Sequence, residues 1–123
     1  MSHFFKKIIG TEGELLVEKH LIKTGYTIIK KNFSIRGGEI DIIAIKKDIL
    51  AFIEVKTRTN TYFNTSEVIT ISKQKKIITT AKFFLSQNNY SENAFRFDIA
   101  LVEGKEKKIT YIENAFTDTH HYE

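Results

Sequence analysis

The stretch GEIDIIAIKKDILAFIEVKTR, residues Gly38–Arg58, decides the fold. Two runs rich in Ile, Leu, Phe, Ala and Val flank Lys47 and Asp48, which predicts a β-hairpin with a two-residue turn. With that turn, the numbers of paired residues sum to 95, so Asp41 lies opposite Glu54. The sequence therefore predicts two facing carboxylates in strands that otherwise look like core.

The same register sorts the other side chains of the hairpin onto two faces, because alternate residues of a strand point to opposite sides. Glu39 pairs with Lys56 on the face of the two carboxylates. That face is predicted to continue toward the turn with Ile43, Phe52, Ile45 and Leu50. The opposite face is predicted to be an uninterrupted core surface of Ile40, Ile42, Ala44, Ala51, Ile53 and Val55.

Two facing carboxylates repel each other, and partial burial makes the repulsion costlier. A divalent cation such as Mg²⁺, which binds carboxylate oxygens, water and phosphate, would relieve it. Lys56 on the same face could contact a water or a phosphate, so the set suits phosphodiester hydrolysis. The alternative is an ordinary ion pair between Glu39 and Lys56 at a solvated sheet end. A three-residue turn would move Glu54 to the other face.

The residues before the hairpin predict a helix and a first strand. Thr11 and Glu14 form a T-x-x-E capping box that would open a helix from about residue 12, and Gly25 would end it after Thr24. One stripe of this helix carries Glu14, Val17 and Leu21. A strand over Tyr26–Lys31 and a turn over Asn32–Gly37 are then expected.

The residues after the hairpin predict a loop, a helix and two strands. The segments are a polar loop over Thr57–Thr65, a helix capped by Ser72 and reaching about Gln87, and strands over Phe95–Val102 and Lys108–Ile112. The helix would bury Ile77, Ala81, Phe84 and Leu85. The order indicates an α/β (α+β) fold with helices covering a mixed sheet, in a single domain of residues 1–123 with a polar tail over 117–123.

Composition narrows the function classes. The 123 residues carry 19 basic and 15 acidic side chains, a net charge of +4, and no acidic residue lies between Glu67 and Glu92. A chain without cysteine has neither disulfides nor a thiolate metal site, and the scattered His3, His20, His120 and His121 do not have zinc-site spacing. Neither a membrane span nor a signal peptide is expected, so a cytoplasmic protein is predicted.

Several segments together resemble a known family. GTEGE, GYTIIKKNF, GGEIDIIA, FIEVKTR, SKQKK, RFDIALV and IENAF, spanning about Gly10–Phe116, are similar to the YraN-type family of small bacterial proteins. The pattern of GEID followed by E-x-K also resembles the PD-(D/E)XK nuclease superfamily. This resemblance implies a restriction-endonuclease-like αβββαβ core and a relationship to Holliday-junction resolvases.

The resemblance also implies roles for individual residues. Asp41 and Glu54, with the Val55 carbonyl, would be ligands of Mg²⁺ or Mn²⁺, and Lys56 would position or deprotonate the attacking water. Glu14 would complete the site, although the capping box gives it an alternative role. Arg36, Arg58, Lys73 and Lys76 would contact DNA phosphates. An ion pair with each other or toward the core is the expectation for Arg96 and Asp98.

Two function hypotheses follow. The first is a metal-dependent endonuclease acting on DNA, with branched or Holliday-junction DNA as one substrate class. Junction cutting requires two sites, so a homodimer would be expected, with Tyr62 and Phe63 as a candidate interface or, alternatively, part of a disordered loop. The second is a nucleic-acid-binding or partner-binding module that keeps the nuclease fold with little or no cleavage.

Overall fold

The computed structural model describes residues 3–58, 69–90 and 92–118, with side chains from residue 11 onward. Tyr62, Phe63 and the C-terminal histidines lie outside the described residues. The elements are α1 (His3–Lys23), β1 (Thr27–Ile35), β2 (Gly38–Lys46), β3 (Ile49–Arg58), α2 (Ile71–Gln87), β4 (Ala94–Glu103) and β5 (Lys108–Phe116). The predicted order of helix, three strands, helix and two strands is confirmed.

The five strands form one sheet in chain order, β1-β2-β3-β4-β5. Only β3 and β4 are parallel; the other neighbours are antiparallel. Val17 and Leu21 of α1 lie in one buried cluster of the sheet, and Ile77 and Phe84 of α2 lie in the other. The predicted mixed α/β fold is therefore confirmed, and its architecture is compatible with a restriction-endonuclease-like core.

The hairpin of β2 and β3 has the predicted register near its turn. Ile42 pairs with Ile53, and the pairing continues without a shift to Lys46 and Ile49. Lys47 adopts a left-handed φ of 56°, which closes the two-residue turn without a glycine. This register places Glu54 on the same face of β3 as Phe52.

The alternation of side chains breaks at Asp41. Ile42 belongs to the cluster under α1, whereas Ile40, two residues earlier, belongs to the cluster under α2. The prediction that Ile40 shares a face with Ile42 was therefore wrong. The regular pairing of β2 with β3 extends only to Ile42 and Ile53, which frees Asp41 from strict alternation.

Helix α1 begins at His3, well before the predicted start, so the prediction of a capping box at Thr11 was wrong. Apolar pairs at residues 4–5 and 8–9 repeat at helical spacing, and the helix continues upstream through them. The predicted C-terminal end is confirmed by Gly25, whose φ is +101°. Within the described residues, neither helix is both long and apolar enough to cross a membrane.

The other boundaries differ from prediction at polar residues. Thr70, not Ser72, caps α2, because its side chain accepts a hydrogen bond from the Lys73 backbone N–H at 3.2 Å. Strand β1 runs through the predicted turn to Ile35, with Asn32 in the left-handed region at φ 52°. Asparagine, which is common in turns, thus lies inside a strand here. Strand β3 also extends further than predicted, through the start of the predicted loop to Arg58.

Asp98 organises β4, β5 and the start of β1. Its fully buried carboxylate accepts hydrogen bonds from Arg96 Nε and Nη2 at 2.8 and 2.9 Å, from the Tyr111 hydroxyl and from the Asn114 backbone N–H at 2.9 Å. Arg96 also donates to the Tyr26 hydroxyl at 2.6 Å. The predicted ion pair of Arg96 with Asp98 is therefore confirmed. Because the carboxylate holds Asn114 at φ 52°, β5 continues past the predicted end at Ile112.

Two glycines let other segments approach the sheet and α2 closely. A Cβ at Gly13 of α1 would lie 2.4 Å from Thr57 Oγ1, and a Cβ at Gly38 would lie 2.1 Å from Thr80 Oγ1 and 3.0 Å from the Lys76 carbonyl oxygen. Gly13 therefore lets α1 press against β3, and Gly38 lets the β1–β2 turn press against α2. Gly13 precedes Glu14 and Gly38 precedes Glu39, so both contacts position neighbouring acidic residues.

Replacing Gly38 with alanine should lower the free energy of unfolding by about 1–3 kcal/mol, because the added methyl overpacks the contact with α2. Urea unfolding measures the loss. The Thr80→Ala background removes the nearest clashing atom, so Gly38→Ala should cost less there than in the wild type. Equal costs in the two backgrounds would contradict this account of the contact.

Candidate functional site

A cavity of about 140 Å³ lies between the end of the hairpin and α2. Its lining residues include three acids, Glu39, Asp41 and Glu54, and two lysines, Lys73 and Lys76. We call it the carboxylate cavity. The β2–β3 register and the packing of α2 thus bring two predicted metal ligands and two predicted phosphate contacts together.

Glu54 is the most constrained acid of this cavity. Only 7% of the residue is exposed, and its Oε1 lies 2.7 Å from Lys73 Nζ. A buried carboxylate needs a positive partner, and the first turn of α2 supplies one. The sequence-based expectation placed Lys73 on a phosphate path; in the structure its ammonium group contacts Glu54.

Asp41 lies where β2 and β3 separate. Its Oδ2 accepts a hydrogen bond from the Val55 backbone N–H at 2.8 Å, which replaces the strand-to-strand pairing that stops at Ile42. The N–H and C=O of one strand residue point to the same side, so the Val55 carbonyl also points toward β2. Burial and then the charge of Glu54 raise the pKa of Asp41 to about 7, although the Val55 N–H opposes the rise.

Glu14 of α1 approaches Asp41 from the opposite face of the sheet. The two residues line a second cavity of about 80 Å³, together with Lys31 and Asn32. Burial raises the pKa of Glu14, as do the charges of Glu39 and Glu54, while Lys31 lowers it. Glu14 therefore belongs to the same electrostatic environment as the hairpin carboxylates, and its helical position rules out the capping role.

The carboxylates can be tested against the requirements of a metal ion. In the part of the chain that the structure describes, no three His, Cys, Asp or Glu side chains are grouped closely enough to form a metal cage. Mg²⁺ is commonly held by one or two carboxylates with water and substrate phosphate completing its ligands. Asp41 and Glu54 fit that kind of site, and the raised pKa of Asp41 reflects its burial and the negative charge of Glu54 beside it.

The other predicted residues are distributed unevenly. Lys56 follows Glu54 by two residues on the same face of β3 and is half-buried, but it does not line the cavities described here. The described ion pairs do not include Glu39 with Lys56. Arg58 ends β3, where its carbonyl accepts a hydrogen bond from the Gly104 N–H at 2.9 Å.

Arg36 and Lys76 come together in a third cavity, of about 170 Å³, between the β1–β2 turn and α2. We call it the basic cavity. Lys76 also lines the carboxylate cavity, so the two cavities adjoin along α2.

Sequence reasoning missed two features of the site. One is the ion pair of Lys73 with Glu54. The sequence did contain a signal for it: no acidic residue lies between Glu67 and Glu92, so an acidic partner for Lys73 would come from an element other than α2. The other is the contact of Gly38 with Thr80, signalled by the adjacent glycines at 37 and 38.

Comparison with known proteins identifies relatives of the whole chain. Residues 13–102 match UPF0102, an uncharacterised protein family. The chain belongs to the UPF0102 family. A UPF0102 protein of Clostridium perfringens is 42% identical over 117 residues, covering 91% of this chain and 96% of the relative. A UPF0102 protein of Caldanaerobacter subterraneus is 40% identical over 122 residues, covering 94% and 100%.

Membership of UPF0102 confirms the YraN-type family suggested by the motifs. The matched region includes both strands of the hairpin, α2 and Glu14, so the whole candidate site lies inside it. A further UPF0102 protein, from Desulfosudis oleivorans, is 42% identical over 108 residues, with 87% of this chain and 88% of the relative covered. The names of these relatives state no activity.

The titration of Asp41 predicts an unusual pH dependence of stability. Its pKa is about 7 in the folded protein and near 3.8 normally, so the folded state holds the proton to higher pH than the unfolded chain. The stability contributed by the protonated group is fully present below about pH 4 and is lost as pH rises through about 7. The loss is at most about 4–5 kcal/mol, since one pKa unit corresponds to about 1.4 kcal/mol.

Asp41→Asn should therefore be more stable than the wild type at about pH 8 in the presence of a chelator, and the gain should shrink toward pH 4.5. Urea unfolding at the two pH values measures both differences. Asp48→Asn, on the exposed hairpin turn, is the matched control and should show little gain at either pH. A gain for Asp41→Asn that does not change with pH would contradict the titration.

Proposed function

We propose that this protein is a metal-dependent nuclease that hydrolyses phosphodiester bonds of DNA, with branched or junction DNA as the substrate class. One observation carries the proposal: the fold brings Asp41 and Glu54 together with two lysines in one cavity and leaves Asp41 with a pKa of about 7. Perturbed carboxylates in a cleft beside cationic side chains are typical of functional sites. An enzyme for junctions would work as a homodimer, because it has to cut two strands.

Asp41 and Glu54, with the Val55 carbonyl, are the residues that would hold Mg²⁺ or Mn²⁺. The ion would supply positive charge to the scissile phosphate and lower the pKa of a water molecule. The hydrogen bond from the Val55 N–H fixes one oxygen of Asp41, so the other oxygen is the one available to a ligand. Lys73 and Lys76, at the helix side of the same cavity, would bind the phosphate oxygens.

Lys56 would orient the attacking water or take its proton, because it lies on the face of β3 that carries Glu54 and is half-buried. Glu14 would act from the other side of Asp41. Its raised pKa lets it exchange a proton nearer neutrality than an ordinary glutamate does. Both roles concern proton movement at the site.

Lys73 is paired with Glu54, so binding of a metal ion to Glu54 would replace the lysine ammonium group with the ion. The Lys73 ammonium group lies 2.7 Å from Glu54 Oε1, one of the two oxygens through which Glu54 would bind a metal ion. Lys73 would leave Glu54 when the ion binds, and its side chain would then be available to the substrate phosphate. Ion binding and phosphate binding would consequently strengthen each other.

The same ion pair favours a second candidate function. Because Lys73 already neutralises Glu54 without any metal, the fold could serve as a nucleic-acid-binding module that does not cleave. Metal binding separates the two functions, since only the nuclease needs the ion.

Isothermal titration with Mn²⁺ should detect binding to the wild type and at least about tenfold weaker binding to Asp41→Asn, which loses a charged ligand. Lys73→Gln should bind more tightly than the wild type, because no ammonium group has to be displaced from Glu54. Lys105→Gln in the β4–β5 turn removes the same charge at a remote site and is the control. Weaker or unchanged binding by Lys73→Gln would rule out the exchange.

Cleavage of linear, flap and four-way-junction DNA with Mg²⁺ or Mn²⁺ tests the nuclease directly. Glu54→Ala and Lys56→Ala should each reduce the rate by roughly 100-fold or more, since each removes a group needed for the reaction. Glu106→Ala and Lys105→Ala, on the exposed β4–β5 turn, are matched controls and should cleave as the wild type does. No cleavage of any substrate, or equal rates in the folded site variants, would refute the nuclease.

A further inference from the structure

The basic cavity has the composition of an anion site. It is lined by Arg36 and Gly37 of the β1–β2 turn and by Lys75, Lys76, Thr79 and Thr80 of α2. Three cationic side chains thus surround about 170 Å³, and no carboxylate lines it. The carboxylate cavity next to it differs in this respect, because Glu39, Asp41 and Glu54 line it and its Lys73 is paired with Glu54.

None of the three cations forms an ion pair with an acidic side chain that the structure describes. Within residues 11–58, 69–90 and 92–118, the ion pairs involve Lys31, Lys73, Lys82, Arg96 and Lys107, but not Arg36, Lys75 or Lys76. An anion entering the cavity would therefore meet positive charge without first displacing a carboxylate. Its binding would differ from that at Glu54, where Lys73 is already engaged.

Close packing of Gly38 against α2 brings together the turn and the helix that line the cavity. Gly38 fits against Thr80 Oγ1 and the Lys76 carbonyl, where a Cβ would not fit, and this fixes the turn on the helix. The hydroxyl groups of Thr79 and Thr80 donate to the carbonyls of Lys75 and Lys76 at 3.0 and 2.7 Å, which keeps them folded onto α2. Arg36 of the turn and Lys75 and Lys76 of the helix line the cavity, and all three are exposed to solvent. The planar guanidinium of Arg36 suits phosphate oxygens.

The basic cavity adjoins the carboxylate cavity, and this position indicates what kind of anion it binds. Lys76 lines both cavities, and Gly37 of one is followed in the chain by Gly38 of the other. A ligand with several phosphates in series could occupy both, whereas a single small anion could occupy only one. We propose that the basic cavity binds a backbone phosphate of a nucleic acid that flanks the phosphate facing Asp41 and Glu54. This inference rests on the proposed nucleic-acid substrate but not on its cleavage.

Fluorescence anisotropy with a labelled DNA duplex, in the presence of a chelator, tests the site without any reaction. Binding is measured over a range of salt concentrations for the wild type, for Arg36→Gln/Lys75→Gln and for Lys105→Gln/Lys108→Gln. Each lost phosphate contact lowers the slope of log affinity against log salt by about 0.9, so the first double variant should lose about 1.8. The control has the same charge change, in the β4–β5 turn at Lys105 and at Lys108, the first residue of β5, and should keep the wild-type slope.

Equal slopes for the wild type and Arg36→Gln/Lys75→Gln would overturn the proposal. An equal loss in both double variants would also overturn it, because the effect would then be one of net charge. Thermal unfolding of both variants shows whether each remains folded; if Arg36→Gln/Lys75→Gln does not, Lys75→Gln alone should lose about 0.9 of the slope. A reduced slope without cleavage of any DNA would support this site while refuting the nuclease.

Inorganic phosphate distinguishes a polynucleotide from a small phosphate ligand. With ¹⁵N-labelled protein, phosphate should shift the amide signals of Gly37 and Thr79 only weakly, while a short DNA duplex should shift them at much lower concentration. This result would support a backbone phosphate as the ligand. Saturable shifts with inorganic phosphate, combined with an unchanged DNA salt slope in Arg36→Gln/Lys75→Gln, would overturn it in favour of a small anion.

Discussion

The hydrogen bond from the Val55 N–H to Asp41 is the interaction on which the rest of the site depends. At this point the pairing of β2 with β3 ends, and a side-chain carboxylate takes the place of a backbone acceptor. The strands can therefore separate without leaving the Val55 N–H unsatisfied. The separation sends Ile40 to the face of α2 and Ile42 to the face of α1, and it leaves Asp41 open to cavities on both sides.

Around this opening, the carboxylates are only partly paired with positive charges, and the neighbouring basic side chains are only partly paired with negative ones. Lys73 neutralises Glu54, but Asp41 remains beside it with a pKa raised by burial and by the neighbouring negative charge. Next to this opening, Arg36 of the β1–β2 turn and Lys75 of α2 line a second cavity, and the residues that line it include no carboxylate. A ligand that combines a divalent cation with a chain of phosphates would correct both imbalances at once, and neither partner alone would do so.

The sequence predicts those parts of the structure that depend on local rules. The two-residue turn at Lys47 determines the register of the hairpin, and helical spacing identifies Val17 and Leu21 as core. Predictions fail where a tertiary contact overrides a local preference. Asn114 continues a strand because the buried Asp98 holds its N–H, and Lys73 pairs with Glu54 although 19 positions separate them in the chain. Such contacts have no periodic signal.

The order of the elements along the chain has a consequence for how the protein is made. Asp41 and Glu54 lie on one hairpin, whose contacts are close in sequence and can form early. Lys73 and Lys76 belong to α2, which follows the hairpin in the chain and packs against it. During synthesis, the acidic half of the site therefore emerges before the basic half. In the growing chain, Asp41 and Glu54 remain without these lysine partners until α2 has been synthesised and has packed on the hairpin.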